Sequence, residues 1–247
     1  MFFIGQPQIV DELNYILPHL YDTGEGYNFL LRAPSGFGKT HLAKLIANYI
    51  VGREYQYTIS SGEVPSIYRR VAIIDECHLI KDPEPLYPIM DSKENVIIFC
   101  TNESSKLKEP LVNRCTTFVF GMYDDDSLIE MVMKHAQFGM SIEDALYIVH
   151  SGNRNPRIVI GITNRLNLIA RGVSIDVRYS VENILGIVDG LDVQMREYLS
   201  FLRRNSPAAL QTICRACRIG EDTARQIEGV LIQRDMLVIN SRGRSIK

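Results

Sequence analysis

Apolar positions along the chain fall into two rhythms. Four short continuous apolar runs, at 28–32, 71–74, 96–100 and 117–120, have the length and continuity of strands in a parallel sheet. Behind the first run comes a Gly/Pro-rich turn, and then Leu42, Leu45, Ile46 and Tyr49 recur at helical spacing, which reads as strand, loop, helix. Strands alternating with helical stretches predict a doubly wound α/β domain over 1–121. Beyond Gly121 the pattern is helical throughout, with amphipathic stretches at 124–138, 141–150, 155–171 and 181–188. Ser127 and Ser141 are the candidate N-caps, the second supported by Glu143 and Asp144 in the following turn. These stretches predict an all-helical domain over 122–188. The remainder, 189–247, holds three helical stretches, the two main ones at 211–218 and 221–233. An apolar run at 236–239 comes next and turns at Asn240-Ser241-Arg242-Gly243. Helices leading into a small β-wing are the pattern of a winged helix.

Composition narrows the functional classes without choosing among them. A chain of 247 residues, 46% hydrophobic and 23% charged, has an ordinary globular balance. The net charge of −2 excludes a polybasic nucleic-acid coat, so any such surface must be local. The last segment is such a place: residues 190–247 hold ten Arg/Lys against six Asp/Glu. Five irregularly spaced cysteines suit a reducing compartment better than a disulfide framework. No run approaches the roughly 18 apolar residues of a membrane span, so a cytoplasmic protein with no membrane association is expected. Cys214 and Cys217 form a Cys-x-x-Cys without a second pair and read as helix packing rather than a zinc site.

The turn after the first strand carries the chemistry. Ala33-Pro34-Ser35-Gly36-Phe37-Gly38-Lys39-Thr40 is a phosphate loop, in which successive backbone N–H groups and a helix N-terminus form a nest for a nucleotide phosphate. Lys39 is expected on the β/γ-phosphates and Thr40 on Mg²⁺. The pattern's first glycine is Ala33 here, which alanine can hold if its φ is negative. Asp75 and Glu76 end the second apolar run. Alone they would read as a solvated strand end, but behind a phosphate loop Asp75 is expected to hold Mg²⁺ and Glu76 to polarise an attacking water. His78 reads as a capping or surface histidine without a catalytic role.

Two families become visible in these and neighbouring motifs. Phe3-Ile4-Gly5-Gln6, Asp75-Glu76-Cys77-His78, Leu86-Tyr87-Pro88-Ile89-Met90-Asp91, Gly152-Asn153-Arg154-Asn155-Pro156-Arg157-Ile158 and Met195-Arg196-Glu197-Tyr198-Leu199 resemble RuvB, the AAA+ Holliday-junction branch-migration motor. So does the tail from Leu231 to Leu237 running into Arg242-Gly243-Arg244. By contrast Thr101 to Leu107, with Glu109-Pro110-Leu111-Val112-Asn113-Arg114-Cys115, looks more like sliding-clamp loaders, although Asn113 stands where they carry serine. The resemblance implies an AAA+ P-loop core, a helical lid and a C-terminal winged helix. It implies that Asn102 is the sensor-1 residue, Arg114 an arginine finger acting on a neighbouring subunit's nucleotide, and Arg157 the sensor-2 arginine. Ile4 and Gly5 fall where the families' adenine pocket begins, with His41 and Pro156 beside the nucleotide. Phe2 and Phe3 read as adenine-side or plain packing aromatics. Between Met90 and Val96 only five residues stand where RuvB proteins carry a long β-hairpin that docks on RuvA. Five residues make a turn and not an arm, which leaves a RuvA-type partner doubtful.

Arg242 and Arg244, at the wing, are the candidate contacts to DNA phosphate or minor groove, against the alternative of a solvated basic face. The expectation is an ATP- and Mg²⁺-dependent ATP hydrolase that assembles as a hexameric ring or spiral and translocates on double-stranded DNA, encoded by a bacterium, a phage or a mobile element. The rival is a loader that closes on DNA and a replication or recombination protein. A third class, a protein-remodelling ATPase, is disfavoured because no aromatic-Val-Gly substrate loop is present.

Overall fold

A computed structural model describes residues 3–247, so Phe2 lies outside the described residues. Backbone contacts divide the chain into two units, residues 1–131 with 155–157, and residues 132–154 with 158–247. The helical segment and the winged helix therefore fall largely within one unit.

The first unit is built on five parallel strands: β1 (Tyr27–Arg32), β2 (Gln56–Ile59), β3 (Val71–Asp75), β4 (Val96–Thr101) and β5 (Thr116–Val119). Their order is β2-β3-β4-β1-β5. β3 and β4 are buried at every position, as continuous apolar runs in the middle of a parallel sheet require. β2 is the strand that the apolar pattern does not show. It lies at the sheet edge and alternates, with Gln56 buried and Tyr57 and Ile59 exposed, so it carries no continuous run. Register decides which residues meet at the carboxyl ends. Arg32 pairs with Thr101 and Val119, and Ile74 pairs with Phe99. β4 thus lies between β1 and β3, and the loops leaving all three strands open on one edge of the sheet. Helices α1 (Pro7–Thr23), α2 (Lys39–Val51), α3 (Tyr87–Asp91) and α4 (Glu109–Val112) complete this part.

Next come α5 (Asp125–His135), α6 (Ile142–Ser151), α7 (Pro156–Ala170) and α8 (Val177–Tyr179), the last running into a π turn, Ser180–Ile184. Ser141 caps α6, its Oγ accepting from the Asp144 N–H at 3.1 Å. Ser127 does not cap α5: its N–H donates to Asp124 Oδ1 at 2.7 Å, so Asp124 is the cap. The helix expected at 181–188 instead starts at Val177 behind an Asp176 cap and ends in turns around Gly186.

The C-terminal part is a winged helix: α9 (Val193–Asn205), α10 (Leu210–Cys217), α11 (Glu221–Gln233) and the antiparallel pair β6 (Leu237–Asn240) and β7 (Gly243–Ile246). Tyr198, Leu202, Ile213, Ile227 and Leu231 form its core, and Cys214 and Cys217 pack against it. Within this core Glu228 is only 4% exposed. Its Oε1 accepts from the Tyr198 hydroxyl at 2.6 Å and from Arg244 Nε at 2.8 Å. A carboxylate in such a place is tolerated only because both donors reach it. Arg244→Ala is expected to lower stability by about 2–4 kcal/mol, since it strands a buried charge. Arg242→Ala, at the exposed turn, should leave stability unchanged within about 0.5 kcal/mol; denaturant unfolding of the two variants separates these outcomes.

Candidate nucleotide site

The loop after β1 folds as its glycines dictate. Gly36 and Gly38 have φ of 87° and 90°, a region that L side chains rarely adopt. Ala33 is not left-handed, and its N–H donates to Thr101 O at 3.3 Å, still in the manner of a strand end. That is why alanine serves where the pattern has glycine. Lys39 opens α2 and is 6% exposed, with Nζ donating to Ala33 O at 2.8 Å and Pro34 O at 3.0 Å. The lysine is therefore held across the mouth of the loop. Burial draws its ammonium below the usual lysine range, and the carboxylates of Glu76 and Asp75 oppose this.

Thr40 and Asp75 meet directly. The Thr40 hydroxyl donates to Asp75 Oδ2 at 2.6 Å, and Oδ1 accepts from the Glu76 N–H at 3.0 Å. These neighbouring oxygens are the hard donors that Mg²⁺ prefers. Tyr57, on the edge strand, also donates to Asp75 Oδ2, at 3.0 Å. Burial, together with that bond, pushes its phenol up to about 12. Because β2 has no apolar signature, Tyr57 was not legible as part of the site.

The other site residues sort themselves around this pair. Glu76 follows Asp75 with a left-handed backbone, φ 52°, and its Oε2 is buried without a hydrogen bond among the described residues. Asn102 follows the end of β4, the strand between β1 and β3, and is exposed at the edge where the loop and Glu76 lie. Arg157, in the first turn of α7 behind Pro156, reaches back to the loop, its Nη1 donating to Ser35 Oγ at 3.2 Å. Asn155 supports it, donating to Ser35 O at 3.1 Å and accepting from the Arg157 N–H at 3.0 Å.

The amino-terminal segment closes one side. Phe3 stacks on His41 with centroids 5.9 Å apart, and it meets Phe120 edge-on. Gln6 and Gly121 exchange two hydrogen bonds of 2.8 Å. Tyr123 packs under Gly5 and donates to Phe37 O at 3.0 Å. Gly5 and His41, with Ile4 next to Gly5 in the chain, thus lie on this flank. Tyr123 lies too far along the chain from the loop for spacing alone to show it.

His78 is not a surface residue. Its side chain is 6% exposed and lies between Glu76 and Glu103.

Two residues sit elsewhere. Arg114 precedes β5, and Thr116 pairs with Phe29, so Arg114 lies at the amino end of the sheet, on the order of 20 Å from the loop at about 3.3 Å per residue. There its Nε donates to Asp91 at 3.0 Å, Nη1 donates to Pro110 O at 3.0 Å, and the guanidinium covers the Tyr87 ring. It cannot serve its own subunit's phosphates. Arg244, expected on DNA, is engaged with Glu228, and only Arg242 stands exposed at the wing turn.

A parallel sheet with a phosphate loop on β1, paired acidic residues on β3, a polar residue after β4 and an arginine reaching the loop from a following helix define an AAA+ P-loop ATPase. In sequence and in fold the chain is similar to RuvB. Residues 188–247 match the family model of the RuvB C-terminal winged helix domain. The chain is 26% identical to the Holliday junction branch migration complex subunit RuvB of Fervidobacterium nodosum, over 98% of this chain and 83% of that protein. It is 28% identical to the same subunit from Corynebacterium diphtheriae, over 98% and 80%. The solved structure of the Thermotoga maritima RuvB Holliday junction branch migration motor superposes with a TM-score of 0.79 at 25% identity, covering 99% of this chain and 93% of that one. The alignment with the Fervidobacterium protein runs over 288 positions against 247 residues, so that relative carries segments that this chain lacks.

Gly36→Ala would force an L side chain into a left-handed backbone and press its Cβ to 2.4 Å from Asn155 Oδ1. With strain of about 1–3 kcal/mol, ATP affinity is expected to fall about tenfold or more, as read by titration with a fluorescent ATP analogue. Unchanged affinity would remove this loop geometry from nucleotide binding.

Proposed function

We propose that the chain is a RuvB-like, Mg²⁺- and ATP-dependent motor that assembles as a ring or spiral of identical subunits and translocates on double-stranded DNA. The observation that carries this reading is the pairing, in one chain, of a complete loop, Thr40–Asp75, Glu76 and Arg157 set with a C-terminal segment of the RuvB winged-helix type. In this reading Lys39 and the loop N–H groups hold the phosphates, Thr40 and Asp75 hold Mg²⁺, and Glu76 with Asn102 addresses the attacking water. Mg²⁺ supplies charge neutralisation at the β- and γ-phosphates when bound.

Arg114 supports assembly. It is remote from its own loop, and an arginine finger delivered from a neighbouring subunit can contribute about 10³–10⁵ in rate. Arg242, at the wing turn, is the remaining arginine proposed for DNA phosphate contact. The three-part division at 121 and 188 is retained as the functional one, and the start of the winged-helix match at residue 188 supports its second boundary.

The relatives are named as subunits of a branch migration complex, which supports a second protein partner for this chain as well. The short connection between Asp91 and Val96 argues only against docking through an arm; as a reason to doubt any RuvA-type partner it is too strong. A cytoplasmic site of action is in keeping with bacterial relatives and with no described helix long and apolar enough to cross a membrane. The loader reading rests on Asn113-Arg114-Cys115 and shares the same ATP chemistry.

Displacement of a triplex-forming strand from duplex DNA separates the two. The motor reading predicts displacement that requires ATP and Mg²⁺ and is lost with a non-hydrolysable analogue. DNA-stimulated hydrolysis without displacement would overturn it in favour of the loader.

A further inference from the structure

The buried carboxylate oxygen left over at the site points to its neighbour. Glu76 Oε2 has almost no solvent contact and no hydrogen bond among the described residues. His78 Nδ1 lies 3.4 Å away from it, too poorly directed for a hydrogen bond but within reach of a small ring rotation. The same Nδ1 is 3.3 Å from Thr101 Oγ1, at the end of β4. On the far side of the ring, Nε2 is 3.4 Å from Glu103 Oε1. Thr101 and Glu103 flank Asn102, and Thr101 Oγ1 accepts from the Glu103 N–H at 3.0 Å, which fixes the turn that presents Asn102. One imidazole therefore touches the strand end that carries Glu76 and the strand end that carries Asn102.

The protons available make this a constrained arrangement. Lys106, 2.6 Å from Glu103 Oε2, keeps that carboxyl below the usual range, so Glu103 presents a fixed negative charge to Nε2. The ring faces two carboxylates, and in its neutral form it would have one N–H to offer them. With the proton on Nδ1 it can satisfy Glu76 Oε2; with the proton on Nε2 it serves Glu103, while Nδ1 accepts from the Thr101 hydroxyl and Glu76 is let go. In that form, the position of the ring proton would set whether Glu76 Oε2 has a donor. No other donor among the described residues competes for that oxygen.

We propose that His78 is a positioning residue for ATP hydrolysis: its imidazole couples the water-polarising carboxylate of Glu76 to the Thr101–Glu103 turn that holds Asn102, so the two groups facing the attacking water are set together. This deepens the nucleotide-site reading above and rests on it. The ring is enclosed by Glu76, Thr101 and Glu103 and makes no hydrogen bond to the phosphate loop among the described residues, so its loss is expected to act on turnover and not on binding.

The test uses the full chain, with ATP hydrolysis under saturating Mg²⁺ and ATP affinity measured separately by titration with a fluorescent ATP analogue. His78→Ala is expected to lower kcat about tenfold or more while affinity stays within about twofold, because general-base placement is disturbed and phosphate binding is not. His78→Gln, which keeps one donor and one acceptor, should recover most of the loss. Glu103→Gln should lower kcat less, and should add nothing in the His78→Ala background. Unchanged kcat in His78→Ala, equal losses in affinity and turnover, or fully additive effects would each overturn the proposal. Where His78→Ala unfolds early on heating, Glu103→Gln decides alone: a reduced kcat at unchanged affinity supports the coupling, and wild-type kcat defeats it. A wild-type chain that hydrolyses no ATP would defeat the nucleotide-site reading itself, an outcome distinct from a working enzyme indifferent to position 78.

Discussion

The hydroxyl-to-carboxylate bond between Thr40 and Asp75, 2.6 Å long, is the contact on which the rest of the site depends. It joins the first turn of α2 to the end of β3, two elements that are not neighbours in the chain. It can form only because the strand order places β4 between β3 and β1 and brings the carboxyl ends into register. The other residues proposed to act on a nucleotide lie at that edge: the loop with its left-handed glycines, Lys39 across its mouth, Glu76 one residue beyond Asp75, and Asn102 after β4. A change in strand order would scatter the same residues without altering the motifs. Tyr57 secures the contact from the edge strand, donating to the same oxygen of Asp75.

Much of this was legible because the chemistry and the folding signal coincide. The glycines that the phosphate loop needs are the ones that break the apolar run after β1, and the acidic pair ends a run that is itself the strand. The parts that were not legible lack that coincidence. β2 reads as polar because it is an edge strand, and Tyr57 was hidden with it. His78 comes after an acidic pair in a short turn, a position usual for exposed side chains; only the fold reveals that Glu76 and Glu103 enclose it. Tyr123 and Gln6 stabilise the amino-terminal flank through contacts across long stretches of chain that no local pattern encodes. Arg244 shows the opposite failure. An arginine beside Gly243 at a wing turn reads as a nucleic-acid contact, yet the buried Glu228 claims it.

In the proposed reading, the position of Arg114 extends the site from a single subunit to an assembly. In a parallel sheet, the loops entering the strands and the loops leaving them are separated by the full height of the sheet. Asp91, Pro110 and the Tyr87 ring hold the guanidinium at the amino edge. If Arg114 is the finger, a site with its loop at one edge and that arginine at the other would be completed by subunits standing head to tail, a heterologous contact that closes into a ring or opens into a spiral. The winged helix has its own core and its own buried charge network.

The central claim is that the carboxyl edge of this sheet is an ATP-hydrolysing site in which Glu76 activates water. Hydrolysis and nucleotide affinity of Glu76→Gln, measured side by side with Mg²⁺ present, test it most directly. The predicted result is affinity within about twofold of the unaltered chain and hydrolysis reduced by about 10²-fold or more. Turnover equal to that of the unaltered chain would contradict it.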